Sequence, residues 1–481
     1  MQRYKNKMQQ KFYLLFISLT VMFLACEKED FIDSSDIKLS FSQDTIMFDT
    51  VFTTIGTSTK YLTVKNPYEQ SVSISSIYLA GGNDSPYRLN IDGYSGTRLD
   101  NYTLRSKDSL YIFIEVTIDP NNADLPMVVN DSIIFAYQNN VQDVNLISWG
   151  QDVNLINGDE NGIIEGNQFW SNNKPYLIYN SMLVDSNSVL TIEPGTQLHF
   201  HKNSRLYVLG TLIADGTFQE PIIFRGDRPE QDYEDIPGQW DGIWLMAGST
   251  NNILNFTEVK NAIIGIQVDT LANESEPTLT LSNSKILNMT AIGLYAQGAF
   301  IEANNTVFAN CGQFSVALTI GGAYTFYHCT FANYWNYSTR STPALLLNNY
   351  YIDVNNKMQV RPLTQATFGN CIVYGNKESE ILIDEAPGTA FNYYFDHSLI
   401  KVNEEISTAD NNYFHNIIVN QDPKFKDPYD NNYELDTLSI AKDSGNPEYG
   451  VLFPFDLNLN SRTNDNGPDL GAFERIETDT Q

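Results

Sequence analysis

Cysteine and basic residues are scarce in this sequence. Its 481 residues include 4 Cys, and 29 Lys and Arg stand against 58 Asp and Glu, which gives a formal net charge of −29. Phosphate binding needs clustered Lys and Arg, so this balance excludes nucleic acid as a partner. Three cysteines follow residue 26 without a Cys-x-x-Cys pair, which excludes a disulfide framework and a zinc site built on cysteines. We therefore predict buried thiols at Cys311, Cys329 and Cys371, and no metal or cofactor.

The first 25 residues have the features of an export signal. Four basic residues within 1–11 precede an apolar run over 12–25, which is too short to span a bilayer as a helix. The end of this run, Ala25-Cys26, resembles the lipobox of bacterial lipoproteins, in which the Cys is acylated and becomes the new N-terminus. The resemblance implies that residues 1–25 are removed and that Cys26 carries a lipid. A plain cleaved signal with an incidental Cys is the alternative.

An acidic segment follows Cys26. Residues 27–30 read Glu-Lys-Glu-Asp and resemble the tether by which Bacteroidetes lipoproteins are sent to the outside of the outer membrane. We assign residues 26–36 to this tether, and a solvated linker is the alternative. The resemblance implies a protein that is lipid-anchored in the outer membrane and faces the cell exterior.

Residues 37–152 contain short β-rich runs separated by turns, a spacing that is typical of a β-sandwich. The segments 48–52, 63–67 and 111–116 resemble the Ig-like domains found before β-helices in Bacteroidetes lipoproteins. We therefore predict an Ig-like β-sandwich over 37–152.

A short pattern of Asn or His, a small residue, an apolar residue and Asn recurs in the second half of the chain. Its stronger and weaker copies begin at Phe256, Asn283, Asn305, His328, Asn370 and His397. Subtraction gives intervals of 27, 22, 23, 42 and 27 residues. Such a period, without a helical pattern, fits one coil of a parallel β-helix. The interval of 42 is either two coils or one coil with an insertion near 348–351, and the Asn residues are expected to stack in structural ladders.

The C-terminal part carries the most specific motif. Residues 467–474, Gly-Pro-Asp-Leu-Gly-Ala-Phe-Glu, resemble the C-terminal portion of right-handed β-helix proteins of the choice-of-anchor Q group. The resemblance extends over 160–475 and implies their fold. We predict an all-β chain in which the sandwich is followed by a right-handed parallel β-helix over 153–420, a C-terminal cap over 421–475 and a tail over 476–481.

Candidate ligand-binding residues lie at the end of an acidic loop. Trp240 and Trp244 offer flat apolar faces for stacking on sugar rings, and strand alternation predicts that both share a face with Gly242. Asp235 and Asp241 are placed to accept hydrogen bonds from sugar hydroxyls. These two tryptophans and two aspartates form the predicted ligand site, and no catalytic residue is predicted.

Two other groups of polar residues invite a functional interpretation. The acidic loop 227–241 has the ingredients of a calcium site or a paired-carboxylate hydrolase, but we favour a solvated structural loop. His199 and His201 point the same way from a strand, as metal ligands can. No third ligand is evident, so we expect two surface histidines.

The sequence favours a non-catalytic binding or adhesion module at the cell surface, with glycan as the expected partner. A polysaccharide lyase or glycoside hydrolase is the first alternative, and it requires carboxylates and an Arg or Lys along a groove. A structural surface spacer is the second, and it requires coils without an aromatic platform. The excess of acidic residues favours neutral over anionic glycans.

Overall fold

The structure, a computed structural model, describes residues 30–34, 36–53, 59–119, 127–269 and 275–476. The predicted signal, Cys26 and the last five residues of the tail lie outside this part of the chain. The chain divides into two compact units, Met1–Asp152 and Val153–Gln481. Strands dominate both units, and no helix of the described residues is long and apolar enough to cross a membrane.

The first unit is a β-sandwich. As far as its described residues extend, one sheet has the strand order β1 (Ser40–Phe41), β3 (Lys60–Lys65), β8 (Ser109–Val116), β5 (Tyr87–Ile91) and β6 (Tyr94–Gly96). The other has the order β2 (Thr45–Phe52), β10 (Asn140–Gln151), β9 (Met127–Tyr137), β4 (Val72–Leu79) and β7 (Arg98–Leu104). Neighbouring strands are antiparallel except β2 and β10, which are parallel.

Alternation of apolar and polar residues explains why these strands pack as two layers. Along β8, Leu110, Ile112, Ile114 and Val116 are buried while the residues between them face solvent. Inward residues from both sheets join in one apolar core. The predicted β-sandwich is therefore confirmed.

The second unit contains three long parallel sheets, here named sheets I, II and III, and the chain visits them in this order in every described coil before the last, which has no strand in sheet II. In the described residues, sheet I has eleven strands: β11 (Asn154–Asn157), β14 (Tyr176–Tyr179), β17 (Gln197–Phe200), β20 (Ile222–Gly226), β23 (Thr257–Lys260), β26 (Lys285–Met289), β29 (Val307–Cys311), β32 (Thr330–Asn333), β37 (Ile372–Gly375), β40 (Leu399–Ile400) and β42 (Ile418–Val419). This arrangement is a parallel β-helix.

Sheets II and III complete the coils. Over the same described ranges, the nine strands of sheet II are β12 (Ile163–Ile164), β15 (Met182–Val184), β18 (Arg205–Val208), β21 (Gly242–Leu245), β24 (Ile264–Val268), β27 (Ile292–Gln297), β30 (Val316–Thr319), β33 (Leu345–Asn348) and β38 (Ile381–Asp384). The ten strands of sheet III there are β13 (Asn167–Trp170), β16 (Val189–Ile192), β19 (Thr211–Asp215), β22 (Asn252–Asn255), β25 (Leu279–Ser282), β28 (Phe300–Asn304), β31 (Gly322–Tyr327), β36 (Leu363–Gly369), β39 (Tyr394–Asp396) and β41 (Phe414–His415).

The corner from sheet III to sheet I explains the repeat. All six predicted copies begin at a residue in the left-handed region, with φ between 42° at Phe256 and 51° at His328 and Asn370. Asn tolerates this region better than most residues, because its short polar side chain bonds locally. Side chains of successive corners also bond to each other, as in Asn305 Nδ2 to Asn283 Oδ1 at 3.1 Å. The expected ladder is therefore present.

The 42-residue interval is one coil with an insertion. Strand β32 pairs directly with β37, so no complete coil intervenes. The insertion includes an antiparallel hairpin of β34 (Tyr350–Ile352) and β35 (Met358–Val360), which begins where the sequence placed it.

The C-terminal segment packs on the outer side of sheet I. It contains β43 (Phe425–Asp427), β44 (Asn432–Leu435) and the short helix α1 (Pro447–Leu452). Its apolar residues, among them Tyr433, Leu470 and Phe473, form a second core with outward residues of sheet I such as Val307 and Ile372. The predicted cap thus lies along the side of the coils.

The specific C-terminal motif is part of this attachment. The Arg462 guanidinium is fully buried and donates to Glu474 Oε2 at 3.1 Å and to Asn305 Oδ1 at 3.1 Å. Glu474 also accepts from the backbone N–H of Asp469, at 3.0 Å. The Asp469 carboxylate accepts from the backbone N–H groups of Asp443 and Arg475. The acidic residues of the motif are therefore structural, since Glu474 pairs a buried cation that links the C-terminal segment to the Asn ladder and Asp469 bonds to the backbone of the same segment.

Candidate functional site

Trp240 is not a surface platform. Its side chain is 0% exposed, its Nε1 donates to the Lys260 carbonyl at 2.9 Å, and its ring stacks on Phe200 with centroids 4.2 Å apart. The prediction that it binds a ligand is wrong. The cause is Gly242, whose φ of +111° breaks the alternation that was assumed to continue from Trp244 back to Trp240. Only glycine fits there, because a Cβ would lie 1.6 Å from the Ile264 carbonyl oxygen.

Trp244 lies on the outer face of sheet II. In the register of the sheet its neighbours are Tyr207 in one adjacent coil and Gln267 in the other, and Tyr295 follows Gln267. All four side chains are partly exposed. The Tyr207 and Trp244 rings lie 5.6 Å apart with an interplanar angle of 44°. The face therefore carries a row of aromatic and amide side chains along the stacking direction, which we name the aromatic row.

Arg205 and Asp241 flank the aromatic row. The guanidinium carbon of Arg205 lies 5.5 Å from the Trp244 ring centroid and 5.8 Å from that of Tyr207. Arg205 Nη2 lies 3.8 Å from Asp241 Oδ2, and both side chains are partly exposed. The predicted neighbours Asp241 and Trp244 are thus brought together through Arg205, a residue that the sequence interpretation did not single out.

Amides and a second carboxylate continue this polar edge. Gln267 Nε2 donates to Asp269 Oδ1 at 3.3 Å and to Gln297 Oε1 at 3.4 Å. The amides both donate and accept hydrogen bonds and the carboxylate accepts them, which suits a ligand that is rich in hydroxyls. A signal for this row was available, since an alignment of strands 205–208, 242–245, 264–268 and 292–297 puts the four side chains in register.

Asp235 belongs to a different environment. Its Oδ1 accepts from Asn288 Nδ2 at 3.1 Å and lies 3.6 Å from Lys260 Nζ, and its carbonyl accepts from the Tyr337 hydroxyl at 3.0 Å. Glu234 and Glu258 also surround Lys260, at 3.8 and 3.5 Å. The loop carboxylate therefore balances a nearly buried lysine at the turn that follows sheet I.

Other acids of the loop 227–241 are also paired. Glu230 bonds to Arg228, and Asp227 Oδ2 lies 2.6 Å from His201 Nδ1. The His201 ring stacks on Tyr179 with centroids 4.1 Å apart. These pairs favour the structural interpretation of the loop, because each named carboxylate already has a basic partner.

The two histidines at 199 and 201 differ in exposure. His199 is buried, its Nδ1 lies 3.2 Å from the Gly226 carbonyl oxygen, and burial lowers its pKa to about 4. His201 is partly exposed and bonds to Asp227 instead. The expectation of two surface histidines is wrong for His199, because its side chain is buried on the sheet.

One cluster was missed by the sequence interpretation. The structure brings Asp396, His397 and His415 together at the last two corners between sheets III and I. The signal is a seventh copy of the repeat, which begins at Asn416 with a φ of 49°. Its interval from His397 is 416 − 397 = 19 residues, shorter than the other copies, and its first residue is followed by Ile rather than a small residue.

The chain matches known proteins over part of its length. The family described as "Right handed beta helix region" matches residues 270–423, and the right-handed parallel β-helix predicted from the sequence is confirmed. The protein bark beetle of Drosophila melanogaster is 28% identical over 162 residues, which are 31% of this chain and 5% of that protein. A family 123 glycoside hydrolase from Clostridium perfringens aligns with a TM-score of 0.20 and 9% identity, over 27% of this chain and 30% of that one.

Proposed function

We propose that this chain is a cell-surface lipoprotein that binds glycans, without cleaving them, on the outer face of sheet II. The observation that carries the proposal is the partly exposed pair of Tyr207 and Trp244, with Arg205 and Asp241 at its edge. Aromatic faces stack on the apolar faces of sugar rings, while charged and amide groups beside them bond to the hydroxyls.

The direction of the aromatic row suits a chain of sugars. Coils of a parallel β-helix repeat at about 4.8 Å, so Tyr207, Trp244, Gln267 and Tyr295 offer successive contacts along the stacking axis. Each stacked ring contributes on the order of 1 kcal/mol beyond its buried area. Single-site binding is therefore weak, and several copies at one surface would strengthen retention by avidity.

Charge favours a neutral glycan. The chain has a formal net charge of −29, and Asp241 and Asp269 lie at the aromatic row. A uronate or sialic acid would be repelled by these two carboxylates, and Arg205 is the basic residue at the aromatic row that would offset the repulsion. The hydroxyls of a neutral glycan can instead donate hydrogen bonds to both carboxylates.

Binding is favoured over hydrolysis or elimination because the carboxylates of this face already have partners. Asp241 faces Arg205 and Asp269 accepts from Gln267. A glycoside hydrolase needs two carboxyl groups that flank the scissile bond, one of them free to protonate the leaving group. A structural spacer would not require aromatic side chains in register on adjacent coils, so the aromatic row also favours binding over the spacer alternative.

The cellular part of the proposal is supported by the sequence. A signal over 1–25 that ends in Ala25-Cys26, and the acidic residues 27–30, favour acylation of Cys26 and a lipid anchor in the outer membrane, facing the cell exterior. A lipid anchor would hold many copies at one surface, as weak binding requires.

The test is retention of the purified protein on immobilised neutral glycans, together with detection of new reducing ends. We expect the wild type to be retained and to produce no reducing ends. Trp244→Ala should lose retention. Phe169→Ala should keep it, because Phe169 is 63% exposed but lies on sheet III. Equal retention of both variants, or retention on anionic glycans alone, would contradict the site, and new reducing ends would establish the enzyme alternative.

A further inference from the structure

Two imidazoles converge on one carboxylate oxygen at the C-terminal end of the coils. Asp396 Oδ1 lies 2.8 Å from His397 Nδ1 and 2.7 Å from His415 Nδ1. The three ligand-type atoms lie within 4.8 Å of one another. Asp396 ends a strand of sheet III, and His415 occupies the same position one coil later.

Among the described residues, the ion pairs of Asp396 are with these two histidines, and its side chain is 6% exposed. The carboxylate also accepts hydrogen bonds from Asn446 and Tyr449. A buried carboxylate is costly unless a positive charge or several donors stabilise it. These donors favour the ionised carboxylate, which is the form that binds a cation.

We propose that Asp396, His397 and His415 bind a divalent transition-metal ion, with Zn²⁺ as the best-matched species. Two imidazole nitrogens and one carboxylate oxygen are ligands that zinc prefers, whereas Ca²⁺ and Mg²⁺ prefer sites made of oxygen. The three ligands would leave at least one coordination position for water.

The two oxygen-to-nitrogen distances need little adjustment for a metal. With ligand bonds of about 2.0–2.1 Å, neighbouring ligand atoms lie about 2.9 Å apart in an octahedron and about 3.3 Å apart in a tetrahedron. The oxygen-to-nitrogen distances are 2.8 and 2.7 Å, and the two nitrogens lie within 4.8 Å of each other. A rotation of His415, whose side chain is 45% exposed, would adjust the separation of the two nitrogens and gives the ion access from solvent.

Residues around the cluster orient its ligands. Asp396 Oδ2 accepts from Asn446 Nδ2 at 3.2 Å, which leaves Oδ1 directed at the histidines. Asn446 is itself fixed, because its Oδ1 accepts from the Glu448 N–H at the start of α1. The Asn416 amide lies 3.2 Å from His397 Nε2. Metal binding at Nδ1 puts the proton on Nε2, and this Nε2–H group donates a hydrogen bond to Asn416 Oδ1 after a 180° rotation of the side-chain amide.

The ion would join the last two coils. Strands β39 and β41 pair over two residues, Phe395 with Phe414 and Asp396 with His415. Such short strands contribute few backbone hydrogen bonds, and a metal bound across them would add a cross-link in the folded state alone. The site thus adds metal-dependent stability to the proposed glycan-binding protein without requiring that function.

The test is metal binding by the full-length protein after chelator treatment and dialysis. Competition with a chromophoric chelator and elemental analysis should give one Zn²⁺ per chain, and Co²⁺ should give visible d–d absorption. His415→Ala should weaken Zn²⁺ binding by about 100-fold or more, since loss of outer-shell partners alone costs about 10–100-fold. Ca²⁺ should not compete.

The matched control is His201→Ala. His201 also places Nδ1 beside a carboxylate, at 2.6 Å from Asp227, but it has no second histidine there. This variant should bind Zn²⁺ like the wild type. A wild type that binds less than one Zn²⁺, or equal affinity in His415→Ala, would show that the cluster is a hydrogen-bonded group only. Asp396→Asn is the second variant if His415→Ala does not fold, and unchanged binding in it would overturn the proposal equally.

Discussion

Asn305 Nδ2 donates a hydrogen bond to Asn283 Oδ1 at 3.1 Å across one coil of the β-helix. Asn283 Nδ2 in turn donates to Asn255 Oδ1 at 2.9 Å. Asn283 has a φ of 47° and Asn305 a φ of 46°. Each corner asparagine therefore serves twice, because it adopts a backbone conformation that most residues avoid and it bonds its neighbours in the stack.

The first prediction concerns this ladder. Asn283→Ala should destabilise the β-helix by about 2–3 kcal/mol, because it loses two hydrogen bonds and because Ala lacks the short polar side chain that lets Asn adopt the left-handed region. Asn283→Gly should cost about 1 kcal/mol less, since glycine tolerates the same φ. Urea unfolding of both variants checks the difference. Equal stability of the two would show that the conformation of the corner contributes nothing.

The second prediction separates the two tryptophans. Trp240→Ala should cost about 3–5 kcal/mol in unfolding free energy, as for other large aromatic residues removed from a core, because Trp240 is 0% exposed. Trp244→Ala should change it by less than about 1 kcal/mol. Thermal unfolding followed by circular dichroism measures both. A large loss in Trp244→Ala would place that ring in the core as well.

The third prediction concerns pH. Burial lowers the His199 pKa from its ordinary value of 6.5 to about 4. The unfolded chain therefore binds a proton at His199 at a higher pH than the folded chain does. The contribution of His199 to the free energy of unfolding is highest above pH 6.5 and decreases as the pH falls toward 4. Lowering the pH from about 7.5 to about 5 should therefore reduce the free energy of unfolding by about 2 kcal/mol through this residue. The variant His199→Gln removes the titrating group.

Denaturant unfolding at both pH values gives the comparison. Other groups titrate alike in the two proteins, so the stability of His199→Gln should fall less on acidification than that of the wild type. An identical fall in both proteins would show that His199 is protonated without cost in the folded chain.

The fourth prediction concerns a second buried ion pair. Arg340 Nη2 donates to Glu380 Oε1 at 2.6 Å, and their side chains are 3% and 0% exposed. Arg340→Met should cost about 3–5 kcal/mol, because it leaves a buried carboxylate without its cation. Adding Glu380→Gln should restore part of this loss. A double-mutant cycle checks the coupling, and strictly additive effects would refute it.

The fifth prediction concerns the anchor. Cys26→Ala should release the protein from the membrane fraction, because no thiol remains for acylation. The matched control is Cys311→Ala, since Cys311 is a buried core residue. Fractionation of cells that express each variant measures the effect. Membrane association of Cys26→Ala at the wild-type level would contradict lipidation.

Periodicity made the fold predictable. The six repeat copies coincide with left-handed corners, since that conformation selects Asn, and His or Phe when other contacts compensate. The insertion near Tyr350 was also placed correctly, because it interrupts an otherwise regular spacing. The prediction that the cysteines are buried holds for Cys311, Cys329 and Cys371.

The candidate site was less predictable because it depends on local exceptions. Trp240 was misplaced since a positive φ at Gly242 cannot be read from strand alternation. Arg205 and Tyr207 were overlooked because they come from a different coil than Trp244, 37 residues away by 244 − 207. His415 was overlooked because the last coil is short, so its register with Asp396 appears only in three dimensions.

The attachment of the C-terminal segment bears on the order of folding. Asn305 and Arg462 bond directly although 157 residues separate them, and the same guanidinium pairs with Glu474 near the end of the described chain. Synthesis delivers the coils before this arginine and glutamate. Outward apolar residues of sheet I therefore stay uncovered until the C-terminal segment docks, and contacts of such sequence separation form slowly. Folding of these coils is completed only when the segment that carries Arg462 and Glu474 has packed against sheet I.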